Sequence, residues 1–141
     1  MFKRAIATSL IATLVGVTIG AELFKHPTAT TPGTVAIYYE NSYQQHAIKL
    51  LMDRKRIDEW PCLYTLWTRE SHWNPHAYNR KSKAYGIAQF MPKTWELVGG
   101  KRTSDGYTQV ELGLLYIDRR YGETRGGVCR ALGSSLARGW Y

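Results

Sequence analysis

WPCLYTLWTRESHWNP, residues 60–75, is the stretch whose reading decides the architecture. Pro61 can open a helix at its first position, where a missing N–H costs nothing. Leu63, Leu66, Trp67 and Glu70 then recur at three and four, so a carboxylate lies at the end of an apolar helical stripe. A carboxyl group against aliphatic and aromatic walls loses hydration, which raises its pKa and suits a general acid near neutral pH. The same residue can equally be a helix-end glutamate paired with Arg69 or Arg80.

Outward from this stretch the pattern stays helical. Glu40 to Ile57 carries Tyr43, Ala47, Leu50 and Leu51 at helical spacing, with Arg54, Lys55 and Arg56 suited to the negative pole at its end. His72 to Lys83 is polar and irregular and reads as loop. Tyr85 to Met91 reads as a short helix that restarts at Pro92 and stops at Gly99-Gly100. Thr108-Gln109-Val110-Glu111 has the form of a capping box, followed by Val110, Leu114, Ile117 and Tyr121 on one face and Gly122 as terminator. Cys129 to Ala137 reads as a last helix. No segment alternates with period two over any length, so the fold class is mostly α.

The whole chain has 141 residues, enough for a single core. Its beginning is organised differently. Lys3 and Arg4 precede an apolar run from Ala5 to Ala21, which Glu22 and Lys25 close. That is the layout of an export signal or an uncleaved anchor over residues 1–24, and the two readings stay open. As a helix the run spans about 25 Å, a little short of a bilayer core. The partner of this segment would be the membrane or the secretion machinery. His26 to Thr34, rich in Pro, Thr and Gly, reads as linker, giving domains of 1–24, 25–34 (linker) and 35–141, and the remainder is expected to be exported. A net charge of +8 admits nucleic acid, membrane or an anionic wall polymer. Five Trp and ten Tyr against three Phe favour surfaces that stack and hydrogen-bond together. The aromatics gather around Glu70 instead of following a basic stripe, which argues against nucleic acid.

Glu70-Ser71-His72-Trp73-Asn74-Pro75, then Ala84-Tyr85-Gly86-Ile87-Ala88-Gln89-Phe90-Met91-Pro92 and Thr94-Trp95, resembles the lytic transglycosylase (SLT) domains of the lysozyme-like superfamily. Members cut the glycan strands of peptidoglycan. Gly113-Leu114-Leu115-Tyr116-Ile117, Arg120-Tyr121-Gly122 and Gly139-Trp140-Tyr141 look like a compact actinobacterial and phage-type subgroup that often carries cysteines where Cys62 and Cys129 stand.

The resemblance implies a single lysozyme-like helical domain in which Glu70 is the catalytic acid/base. Ser71 would orient it or hold substrate, Gln89 would bind the sugar beside the scissile bond, and Tyr116 would face the cleft. Trp73 and Tyr85 are candidates for sugar stacking. Many such domains carry Ala-Tyr-Asn near their end, and the compact subgroup often has Ala-His. That position falls here on Gly133-Ser134, which removes an aromatic or imidazole partner of Glu70. The reaction implied is cleavage of the MurNAc–GlcNAc bond with closure to a 1,6-anhydro end. Lysozyme-type hydrolysis is the alternative and needs a second carboxylate, for which Asp105 and Glu96 are nearest. A third reading is a peptidoglycan-binding module without catalysis. With an export signal, Cys62 and Cys129 are expected to pair as a disulfide. His72 and His76 are four apart, but Pro75 lies between them and no further ligand completes a set, so no metal and no cofactor is expected. The expected partner is peptidoglycan, with the protein as a monomer.

Overall fold

The computed structural model describes residues 41–141, so the expected signal or anchor, the linker and the domain start at Val35 lie outside the described residues. Five α-helices follow in order: α1 (Ser42–Asp53), α2 (Trp60–Ser71), α3 (Pro92–Leu97), α4 (Gly106–Tyr121) and α5 (Gly127–Arg138). No strand forms among the described residues, only the isolated bridges Tyr78–Tyr85 and Tyr85–Phe90. None of the described helices is long and apolar enough to cross a membrane.

Helix α2 is the central element. Its stripe Leu63, Leu66 and Trp67 is fully buried, together with Leu51 of α1, Val110, Leu114 and Ile117 of α4, and Val128 and Ala131 of α5. Trp67 fits because α4 presents Gly113 to it: a Cβ there would sit 2.6 Å from the indole Cζ2. Pro61 occupies the second position of α2, after a 3-10 turn over Ile57–Glu59, and not the first. A disulfide joins Cys62 near the start of α2 to Cys129 near the start of α5.

Two expected boundaries are corrected. Helix α1 begins at Ser42 because the Asn41 side chain accepts from the amides of Tyr43 and Gln44 at 3.0 and 3.1 Å. It stops at Asp53, short of Ile57, where Lys55 turns into the left-handed region at φ 56°. The basic run therefore serves a tertiary purpose and not the helix pole. Arg56 Nε donates to Glu59 at 2.8 Å and its Nη1 to Asp118 at 2.6 Å; Arg54 donates to the other Asp118 oxygen at 2.7 Å. Glu59 also accepts from the Val128 amide at 2.7 Å, so this buried ion cluster ties the α1–α2 corner to α4 and α5. Helix α4 is likewise capped one turn earlier than the capping box predicts. Asp105 accepts from the Tyr107 and Thr108 amides, and the Thr108 hydroxyl donates to it at 2.5 Å instead of capping.

The short helix expected over Tyr85–Met91 is a tight reversal. Tyr85 and Phe90 exchange both backbone hydrogen bonds, at 3.0 and 3.1 Å. Gly86 at φ +84° and Gln89 at φ 50° turn the chain between them, a conformation incompatible with a helix. The apolar residues Ile87 and Phe90 are buried as anchors of this turn.

Candidate active site

Three long-range tethers hold the 86–89 turn over the end of α2. The Ser71 hydroxyl donates to Ile87 O at 2.8 Å. The buried Gln109 carboxamide accepts from the Ile87 amide at 2.7 Å, while its Nε2 donates to Pro75 O and Thr103 O at 2.9 and 2.7 Å. The Tyr141 hydroxyl donates to Ala88 O at 3.0 Å and accepts from Trp67 Nε1 at 2.9 Å. The turn, α2, α4 and the segment Gly139–Tyr141 thereby enclose a cleft of about 470 Å³ whose lining includes Glu70, Gln89, Tyr116, Trp140 and Tyr141.

Glu70 is half-buried in this cleft. Burial pushes its carboxyl above the ordinary carboxylate value, against the Ser135 hydroxyl and the Arg69 charge, which pull it down. Ser135 Oγ donates to Glu70 Oε1 at 3.3 Å. No ion pair among the described residues involves Glu70, so the alternative of a helix-end glutamate paired with Arg69 or Arg80 falls. Gly133-Ser134, where the resemblance implied the loss of a partner, gives Glu70 none: Ser134 turns to Trp140 O at 3.1 Å, and the next residue, Ser135, meets the carboxylate.

Tyr141 lines the same cleft, with its hydroxyl engaged by Ala88 O and Trp67 Nε1 and not by Glu70. Its hydroxyl is buried, and burial, reinforced by the charge of Glu70, raises its pKa well above the usual phenol value. Tyr116 donates to Tyr141 O at 3.1 Å and packs edge-on to Phe90 at 5.3 Å, so the closing segment is held from both ends.

The other expected site residues separate into two groups. Gln89 lines the cleft, with both Nε2 protons engaged by Ala77 O and Gly86 O at 3.2 and 2.9 Å. Tyr116 lines it too. Ser71, Trp73 and Tyr85 do not. Ser71 is buried and reaches the cleft only through the turn it tethers. Trp73 is 2% exposed, packs against Trp60 and Trp67, and donates from Nε1 to Thr68 at 3.2 Å, so it is core and not a stacking platform. Tyr85 carries the Arg102 guanidinium 3.9 Å above its ring, outside the cleft. Neither proposed second carboxylate reaches the cleft: Asp105 caps α4, and Glu96 faces a different cavity. Trp140, 49% exposed on the cleft rim and flanked by Arg120 and Arg138, is an aromatic surface to which the sequence reading gave no role.

This constellation has one half-buried acid with a raised pKa, a hydroxyl partner and a partly aromatic groove, and it suits protonation of a leaving oxygen. A family model described as Transglycosylase SLT domain matches residues 47–135. The chain belongs to that family. No curated protein and no solved structure gives a match. The SLT match spans Glu70, Gln89, Tyr116 and Ser135, and members of the family are glycan-cleaving enzymes of peptidoglycan. Gly139–Tyr141, which closes the SLT cleft, lies beyond the matched residues.

Proposed function

We propose that this protein is a peptidoglycan lytic transglycosylase that uses Glu70 alone as acid and then as base. The observation that carries this reading is that Glu70 is the only acidic side chain lining the cleft among the described residues. In the first step Glu70 gives its proton to the glycosidic oxygen as the bond to MurNAc C1 breaks, releasing a GlcNAc hydroxyl and leaving an oxocarbenium-like centre. In the second the C6 hydroxyl of the same MurNAc bonds to C1 and its proton returns to Glu70. The product is a 1,6-anhydro end, no water is consumed, and the enzyme is restored. Hydrolysis through a second carboxylate would require Asp105 or Glu96, and both stand elsewhere.

Gln89 and Tyr116 then bind the sugars flanking the bond, and burial, which raises the Glu70 carboxyl above its ordinary value, favours the protonated form that the first step needs. Export fits the same reading, since the polymer lies outside the cytoplasm and the Cys62–Cys129 disulfide suits an oxidising compartment. The test is digestion of purified peptidoglycan by wild type and Glu70→Gln, with the new ends identified by mass. Anhydro-MurNAc ends from wild type alone are expected. Reducing ends would turn the reading to a hydrolase, and intact strands to a binding module.

A further inference from the structure

The positive charge of the chain is concentrated. Arg80, Lys81, Lys83, Lys93, Lys101 and Arg102 stand within one segment that holds a single acid, Glu96. Outside it, four described cations meet carboxylates: Lys49 with Asp53, Arg54 and Arg56 with Asp118, Arg56 also with Glu59, and Arg125 with Asp58. None of these six enters an ion pair among the described residues. Lys83, Lys101 and Arg102 line a second cavity of about 480 Å³, together with Tyr78, Trp95 and Glu96.

Arg102 lies against two aromatic rings there. Its guanidinium carbon is 3.9 Å from the Tyr85 ring centre and 5.3 Å from that of Tyr78. A guanidinium held by ring faces keeps its forked N–H donors for a carboxylate or phosphate.

The second cavity also shares a wall with the cleft. Asn79, Ser82, Met91 and Thr94 line the cleft, and their chain neighbours Tyr78, Lys83, Pro92 and Trp95 line the cavity. The stretches 78–83 and 91–95 therefore border both spaces. A substituent on a sugar held in the cleft has the cavity as a neighbouring space.

We propose that this cavity binds a carboxylate of the peptide stem carried by the MurNAc unit in the cleft. The inference rests on the glycan-cleaving reading above and names what the site selects within that substrate. The stem hangs from the lactyl group of MurNAc and bears free carboxylates, so the sugar and the anion arrive as one molecule. A phosphate polymer of the wall would offer similar charge without that link to the sugar.

Binding is measured with the full chain carrying Glu70→Gln, so that the readout does not depend on cleavage. The probes are one GlcNAc–MurNAc oligosaccharide in three forms: stems with free carboxylates, stems with amidated carboxylates, and stems replaced by a simple amide of the lactyl group. The free-carboxylate form should bind about tenfold more tightly than the other two, as charge-assisted hydrogen bonds to a guanidinium and an ammonium warrant. Adding Lys101→Gln and Arg102→Gln should abolish that preference and leave affinity for the stripped strand unchanged. Since Arg102 also braces two tyrosines, Lys83→Gln with Lys101→Gln serves as a second variant that keeps the stack and should still reduce the preference. Equal affinity for all three ligands overturns the proposal, and so does a preference that survives both variants. Tighter binding of a glycerol-phosphate oligomer, lost in the same variants, assigns the cavity to a phosphate polymer and also overturns it. If wild type cuts no peptidoglycan while the carboxylate preference persists, the catalytic reading fails and this one stands; cleavage without preference does the reverse.

Discussion

Replacing Cys62 and Cys129 by serine tests how much of the fold depends on one covalent link. The bridge spans a sequence separation of 67 residues. Closing a loop of that length removes about 4 kcal/mol of chain entropy from the unfolded state, taking the entropic account of disulfides at face value. For a domain of this size each kcal/mol moves the melting temperature by about 4–8 °C, so the double variant should melt roughly 15–30 °C lower. The assay is denaturant unfolding followed by tryptophan fluorescence, since Trp60, Trp67 and Trp73 are buried together beside Cys62. Stability must be compared as extrapolated free energy, because a freed chain expands and also changes the slope. The catalytic geometry should persist below the transition. Cys62 and Cys129 mark the starts of α2 and α5, whereas Glu70 and Ser135 meet near their far ends, about 10 Å along each helix. A loss under about 1 kcal/mol would refute the loop-closure argument for this chain. Loss of cleavage in fully folded protein would refute the independence of the two ends.

Ser135→Ala removes the hydroxyl that pulls the Glu70 carboxyl down, so the pKa should rise and the basic limb of the pH–rate profile should move to higher pH. An unmoved or lowered limb would count against that bond. In the buried ion cluster, burial alone would raise the Glu59 carboxyl, but Arg56 and the Val128 and Gly126 amides outweigh it and hold it below the ordinary value. Its stabilisation is therefore present above the unfolded carboxyl pKa and is lost as pH falls through the depressed one. Glu59→Gln should cost about 3 kcal/mol at neutral pH and flatten the acid loss, both read from urea melts across pH. Trp73→Ala should cost about 3–5 kcal/mol as a core truncation. Trp140→Ala should leave stability within about 0.5 kcal/mol and raise KM for glycan cleavage.

The helices that the sequence exposes best are those whose signal is local. Leu63, Leu66, Trp67 and Glu70 place the acid at the end of α2 by spacing alone, and Val110, Leu114 and Ile117 do the same for the buried face of α4. The 86–89 turn is different. Ile87 and Phe90 look like helix apolar positions, but the conformation is dictated by Gln109, 22 residues away, and by Ser71, 16 residues away. Nothing local marks Gln109 as a tether, because a glutamine inside a helix usually reads as solvated surface. Asp105 and Thr108 both offer capping oxygens, and the earlier one wins by also accepting the later one's hydroxyl. Ser135 and Tyr141 carry no local signal. Their roles depend on where α5 ends and the chain folds back, and Gly139, at φ 77°, is the residue that marks that point.

Gln89 carries a consequence for what the cleft can read. A carboxamide ordinarily both offers and accepts hydrogen, but here its two N–H groups are spent on Ala77 O and Gly86 O. What remains for a ligand is the carbonyl oxygen, which recognises only donors. On the proposed function the position would be a one-way polarity filter, favouring a sugar hydroxyl or the N–H of an acetamido group over a carbonyl turned the same way. A glycan whose ring is flipped in the cleft would meet that oxygen with the wrong edge, so the residue that braces the turn would also give a bound strand a direction.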